Sequence, residues 1–225
     1  MVITLTGENT FALGTELRRL TADFTKQHGD LALERLDGQE TEPARITESL
    51  AAPPFLAARK MVVLRTPGAD KRFAEQAEHI LGEVPTTTDA ILVEPKLDKR
   101  LSYYRFLKRK TDFREFPELD PGGLARWLAN EAAARGGKLS PADARYLVER
   151  VGPDQQRLAN ELEKLLLYDP SISRRSIDEL TEAAPQSTVF QLLEAAFTGN
   201  SRRALDLYAE QRALRVEPPQ IVAML

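Results

Sequence analysis

The chain has 225 residues, 42% of them hydrophobic and 29% charged, which supplies a packed core and excludes intrinsic disorder. Lys+Arg 31 against Asp+Glu 34 leaves a formal net charge of -3, so a polycation that coats nucleic acid by bulk charge is excluded and only a local basic face remains open. Cysteine is absent and the only histidines are His28 and His79, which removes disulfides, a thiolate nucleophile and the usual zinc centres.

Residues 2–5 read as a strand, and Leu13, Leu17, Leu20 and Phe24 then recur at helical spacing. Residues 31–36 alternate as a second strand, closed by Asp37-Gly38. Ile46 and Leu50 mark a short helix. Met61-Val62-Val63-Leu64 is a β-branched run suited to a buried strand. Phe73, Ala77, Ile80 and Leu81 give another helical face, Ile91-Leu92-Val93 a fourth strand, and Leu101, Tyr104 and Leu107 the face of the next helix. Residues 112–116 form a fifth, alternating strand. Such alternation predicts an α/β domain with a parallel sheet covered by helices, over 1–120.

The second half carries no strand signal. Leu124, Trp127 and Leu128 open a helix that ends at Gly136-Gly137. Ser140-Pro141-Ala142-Asp143 reads as an N-cap, a first-turn proline and an acid at the third position, leading to Tyr146, Leu147, Val151 and a stop at Gly152. Pro153 begins the next helix, with Leu158, Leu162, Leu165 and Leu166. Ser176-Ile177-Asp178-Glu179 has capping-box spacing. A small helical domain over 121–185 is expected, then a polar break at Pro185-Gln186-Ser187-Thr188 and a third segment, 186–225. In that segment Phe190, Leu193 and Phe197 share a face, followed by Leu205 and Tyr208. The final residues, 218–225, look like a helix start that stops as its apolar face appears, so a cut within a helical region is expected. The N-terminus lacks the basic start and apolar stretch of a secretory signal, and no apolar run approaches the roughly 18 residues of a membrane span. A soluble cytoplasmic protein is expected.

A sheet followed by helices invites a test for nucleotide chemistry. A phosphate loop needs Gly-x-x-x-x-Gly-Lys-Ser/Thr after the first strand, so that backbone amides and a lysine meet the phosphates. The segment here is Thr6-Gly7-Glu8-Asn9-Thr10-Phe11, which has no lysine and places Glu8 against a triphosphate. Gly137-Lys138 is followed by Leu139 and reads as a helix end. Arg65-Thr66-Pro67 stands after the third strand, where magnesium-binding acids belong. Neither histidine has a visible nucleophile partner, and Glu161 and Glu163 beside Lys164 read as solvated ion pairs. No catalytic residue, cofactor site or metal site is expected, and the pattern points to a structural or binding role.

Two positive features remain. In Ala51-Ala52-Pro53-Pro54-Phe55-Leu56-Ala57-Ala58-Arg59 the prolines end a helix and set Phe55 and Leu56 at a corner, either turned to the core or offered to a pocket on a partner. The stretch 96–110 holds Lys96, Lys99, Arg100, Arg105, Lys108, Arg109 and Lys110 among Tyr103, Tyr104 and Phe106. It is either a nucleic-acid face or an amphipathic helix with its aromatics inward.

In the order and spacing of these features the chain resembles the delta subunit of bacterial DNA polymerase III, a clamp-loader component. The resemblance is carried by Gly7-Glu8-Asn9, Phe55-Leu56-Ala57-Ala58-Arg59-Lys60, Lys96-Leu97-Asp98-Lys99-Arg100, Glu161-Leu162-Glu163-Lys164-Leu165 within 152–165, Phe190-Gln191-Leu192-Leu193, Gly199-Asn200 and Ala204-Leu205. It implies an AAA+-like parallel-sheet domain without a phosphate loop, a small helical lid and a helical collar, here partial. It implies a subunit of a DNA-directed DNA polymerase (nucleotidyltransferase) complex that hydrolyses no ATP itself. Its partners would be the sliding clamp (beta), which it would bind and open, the gamma/tau and delta prime subunits, and primed DNA. The clamp-binding element implied falls on Phe55 and Leu56, preceded by Pro53 and Pro54, with Pro53 where some members carry a longer aliphatic residue. Zero cysteine separates the chain from the ATP-binding loader subunits, which typically carry zinc-binding cysteines. The readings that compete with this one are a DNA-binding module using 96–110 and a degenerate AAA+ ATPase adaptor.

Overall fold

In the computed structural model, which describes residues 1–182, 192 and 194–213, the strand and helix alternation of the first half becomes one sheet. The elements in order are β1 (Val2–Thr6), α1 (Thr10–His28), β2 (Leu33–Asp37), α2 (Pro43–Ala51), β3 (Lys60–Arg65), α3 (Lys71–Gly82), β4 (Thr88–Glu94), α4 (Ser102–Lys110) and β5 (Asp112–Glu115). The strand order is β2-β3-β4-β1-β5 and every pairing is parallel. Every strand therefore begins at one edge of the sheet and ends at the other.

Period-two alternation sends Val62, Leu64, Ala90 and Leu92 to one face, beneath Ile46 and Leu50 of α2, Phe73, Ala77 and Ile80 of α3, and Leu107 of α4. Met61, Val63, Ile91 and Val93 face the other way and pack with Leu13 and Phe24 of α1. With both faces covered, the central β3 and β4 are buried along nearly their whole length. The edge strands β2 and β5 instead carry Glu34, Arg35, Asp112 and Arg114, charges that discourage pairing with another chain.

One expectation fails at β2. Residues 30–32 do not extend the strand but form a single 3-10 turn, so Leu31 leaves the alternation and points to solvent. Leu101 is likewise the N-cap of α4 and exposed, and the buried face of that helix is built from Tyr103, Tyr104 and Leu107.

The chain divides into two units, Met1–Glu118 and Leu119–Leu225. The second contains α5 (Pro121–Ala134), β6 (Lys138–Leu139), α6 (Pro141–Val151), α7 (Gln155–Tyr168), β7 (Ser171–Ile172), α8 (Arg174–Leu180) and α9 (Ser201–Ala213). Leu124 and Leu128 of α5, Leu147 and Val151 of α6, Leu158, Leu162 and Leu165 of α7 and Ile177 of α8 close a core of their own. The expected caps form: the Ser140 hydroxyl accepts from the Asp143 N–H, and Gly152 ends α6.

Three details differ from the sequence reading. β6 and β7 pair as a two-residue parallel ladder, with the Lys138 N–H donating to the Pro170 carbonyl at 2.7 Å. The capping box of α8 is Ser173 with Ser176, so Ser176 is its third residue rather than its cap. Asp154, not Pro153, caps α7 by accepting from the Arg157 N–H. The Pro185-Gln186-Ser187-Thr188 break, Phe190, Leu193 and the helix start at 218–225 lie outside the described residues.

Candidate functional site

Three parts of the first unit bear on function: the corner between α2 and β3, the loop after β1, and the basic stretch around α4.

Two prolines after α2 stop the helix, since Pro54 lacks an N–H and Pro53 must follow an extended residue. Ala52 is accordingly extended, at φ −59° and ψ 138°. The chain then crosses to β3 with Phe55 at 74% and Leu56 at 82% exposure. Leu56 has φ 54°, in the left-handed region where a Cβ costs roughly 1 kcal/mol or more. An apolar residue held exposed in such a backbone gains nothing from the fold itself. Pro53 is also exposed and Pro54 half-buried, while Ala57 turns back onto the α1 face of the sheet.

Both ends of this corner are fastened. Lys60, buried at the start of β3, donates from Nζ to the Ser49 carbonyl near the end of α2, and Ser49 Oγ donates to Glu34 on β2 at 2.7 Å. Arg59 donates to Asp89 at the start of β4 through two bonds, 2.7 and 3.2 Å. The Met1 amino group meets the same carboxylate at 3.0 Å. Burial pushes the Asp89 carboxyl up, but the hydrogen bonds from Arg59 and the Met1 amino group outweigh it and hold the group below its ordinary value.

The loop after β1 lies against a cavity of about 380 Å³ lined by Thr6, Gly7, Glu8, Lys96, Lys99 and Glu115, among others. This is the edge where the strands end, the usual ligand position in an open α/β sheet. Two of its amides already have backbone partners. Gly7 N–H donates to the Pro95 carbonyl at 3.3 Å and Asn9 N–H to the Phe116 carbonyl at 3.0 Å. Gly7 sits at φ 123°, and a Cβ there would overlap the Phe116 backbone. The chain leaving β5 thus packs directly against Gly7 and leaves no room there for a side chain. The end of β3, where acids would hold magnesium, is Arg65-Thr66-Pro67, and at the end of the neighbouring β4 Glu94 is buried and accepts from Gly68 N–H at 2.6 Å and Tyr103 O–H at 2.9 Å. Burial raises the Glu94 carboxyl above its ordinary value.

In the basic stretch, Lys99 pairs with Glu115 at 2.6 Å and Arg100 with Asp98 at 2.8 Å. The Asp98 carboxyl is held down to about 2, chiefly by the hydrogen bond from Arg100. Lys96, Arg105, Lys108, Arg109 and Lys110 are exposed. Tyr103 and Tyr104 are buried, and Phe106 packs against the sheet core, so these aromatics are turned inward rather than offered for base stacking. Three cations in the last turn of α4 complement its C-terminal dipole. Arg105 and Arg109 line a groove of about 350 Å³ with Glu75 and Glu78 of α3 among its other lining residues.

His79 lies on exposed α3 surface beside Glu83 at 3.4 Å, and the His28 ring rests 4.7 Å from Phe24. Among the described residues no group of three His, Cys, Asp or Glu side chains could hold a metal ion. No helix among them is long and apolar enough to cross a membrane. Sequence reasoning missed Asp89 and Ser49 as anchors of the corner, because their partners lie 30 and 11 residues away and form no local motif. It also missed Glu94, whose burial no spacing signals.

A five-stranded parallel sheet with helices on both faces, followed by a small helical unit with a core of its own, defines an α/β protein whose loop after β1 is packed against its own backbone. Residues 4–116, half of the chain, match the family model for DNA polymerase III, delta subunit, and the chain belongs to that family. It is thereby a clamp-loader component of DNA replication. Among solved structures it is similar to the Bacillus subtilis DNA clamp loader delta protein, with TM-score 0.76 and 20% identity over 99% of this chain and 70% of that one. A weaker likeness is to the Thermotoga maritima RuvB Holliday junction branch migration motor, with TM-score 0.47 and 10% identity over 86% and 68% of the two chains. No curated protein matches the chain.

Proposed function

We propose that this chain binds the sliding clamp through Phe55 and Leu56, with Pro53 and Pro54 shaping the corner, and favours the open ring. The observation that carries this is the exposed apolar pair on a pinned, left-handed turn. A rigid exposed pair loses little entropy when it enters a pocket. A subunit that fits the open ring better than the closed one shifts the ring toward opening by that difference in affinity. The neighbouring subunits gamma/tau and delta prime would hold it in the loader, and the cytoplasm would be its compartment. Clamp binding by the purified chain tests the reading. Phe55→Ala with Leu56→Ala should cost about 2–4 kcal/mol, roughly 30-fold to 1000-fold in Kd. Unchanged affinity in the folded double variant would remove the assignment.

Primed DNA is a second proposed contact, through Lys96, Arg105, Lys108 and Arg109, with Lys99 and Arg100 already tied to acids. Glu75 and Glu78 of α3 line the same groove as Arg105 and Arg109, which leaves Lys108 and Arg109 in the last turn of α4 as the pair to test. Lys108→Glu with Arg109→Glu should therefore lower loader–DNA affinity and flatten its salt dependence, while clamp binding stays unchanged. An unaltered salt slope would dismiss the contact.

A further inference from the structure

We infer that the clamp-docking face extends beyond Phe55 and Leu56 to Leu31, along the edge of the sheet where the strands begin. The inference rests on the reading of the corner as the clamp site. Residues 1–118 are all described, and five of their large apolar side chains are exposed: Met1, Leu31, Phe55, Leu56 and Leu101. Four of these lie at one edge. Met1 precedes β1 and its carbonyl accepts from Ala90 N–H near the start of β4. Leu31 precedes β2, and Phe55 and Leu56 precede β3. Leu101 alone lies beyond the end of a strand.

The register brings Leu31 close to the corner. β2 and β3 pair in parallel with Leu33 opposite Met61, so the turns entering the two strands are side by side. Ala32 and Ala57, the residues next to Leu31 and Leu56, both pack into the apolar layer beneath α1. Each is the inward foot of an outward leucine. Leu31 is 85% exposed because the 3-10 turn takes it out of the strand alternation, at a position where an extended chain would have turned it differently. At this edge Arg59, Asp89 and the Met1 amino group satisfy one another. The apolar tips thus have no competing unpaired anion from Asp89 beside them. The occupant we assign is the same ring that takes Phe55 and Leu56, because the leucine continues that surface.

Clamp affinity of the full chain tests this with Leu31→Ser, Leu101→Ser and the Phe55→Ala/Leu56→Ala variant measured side by side, each checked for an unchanged melting temperature. Leu31→Ser should weaken clamp binding about tenfold, the value for partial burial of one leucine, and Leu101→Ser should leave it unchanged. Parental affinity for Leu31→Ser, with the corner variant impaired, overturns the extension and leaves the corner reading intact. Parental affinity for the corner variant overturns the corner reading itself and the extension with it. If Leu31→Ser instead abolishes self-association and spares clamp binding, the leucine belongs to a contact between copies and the inference fails.

Discussion

Asp89 and Glu94 stand at opposite ends of β4 and respond to pH in opposite senses. Glu94 has a raised value, caused first by burial, so between the ordinary 4.5 and that value the folded state holds more protons than the unfolded one. Its contribution is fully present below 4.5 and declines as pH climbs through the raised value. Glu94→Gln keeps an acceptor for Gly68 and Tyr103 without the buried charge. Denaturant titrations across the pH range should show the parent losing stability over that window and the variant keeping it; an equal loss in both would refute the assignment. Asp89 has a lowered value, so its contribution is present above the ordinary 3.8 and lost as pH falls through the folded value. Asp89→Asn should cost about 1–3 kcal/mol at pH 7 and shrink the acid limb of the same titration. Gly68 belongs to this scale too. A Cβ there would lie 2.8 Å from Glu94 Oε1 and overlap the Tyr103 ring, so Gly68→Ala should destabilise by about 1–3 kcal/mol on overpacking grounds.

At the scale of elements, local pattern and long-range pairing divide what the sequence reveals. Leu13, Leu17, Leu20 and Phe24 announce α1, and the Met61-Val62-Val63-Leu64 run announces β3, because each signal lies within one element. The β6 and β7 ladder has two residues per strand, too few to show a period. Ser173 and Ser176 are spaced as a box and so are Ser176 and Glu179; backbone geometry chooses the first. The Phe55 and Leu56 corner is visible in outline, since Pro53 and Pro54 must end α2. Its anchoring is invisible, because Lys60 reaches back to α2 and across to β2 only once the sheet exists. Lys60→Met tests that anchoring: it leaves a carbonyl in the last turn of α2 without this donor. The expected result is a loss of about 1–3 kcal/mol of stability by urea denaturation, against no change if the lysine only touches solvent.

The largest scale concerns which part of the chain carries the binding. The sheet unit closes its apolar layers with α1 on one face and α2, α3 and α4 on the other, using residues of 1–118 alone. The helical unit closes a different core, and Trp127, the only tryptophan of the chain, packs against it. Every residue assigned to clamp docking, including Leu31, Phe55, Leu56 and their anchors, belongs to the first unit. A fragment of residues 1–118 should therefore melt cooperatively by circular dichroism and retain clamp affinity within about threefold, since it keeps both its core and its contact surface. The Trp127 signal should accompany only the remaining fragment. A fragment 1–118 that folds but binds the clamp at least tenfold more weakly would mean that the helical unit contributes contacts of its own, and would move part of the docking surface beyond residue 118.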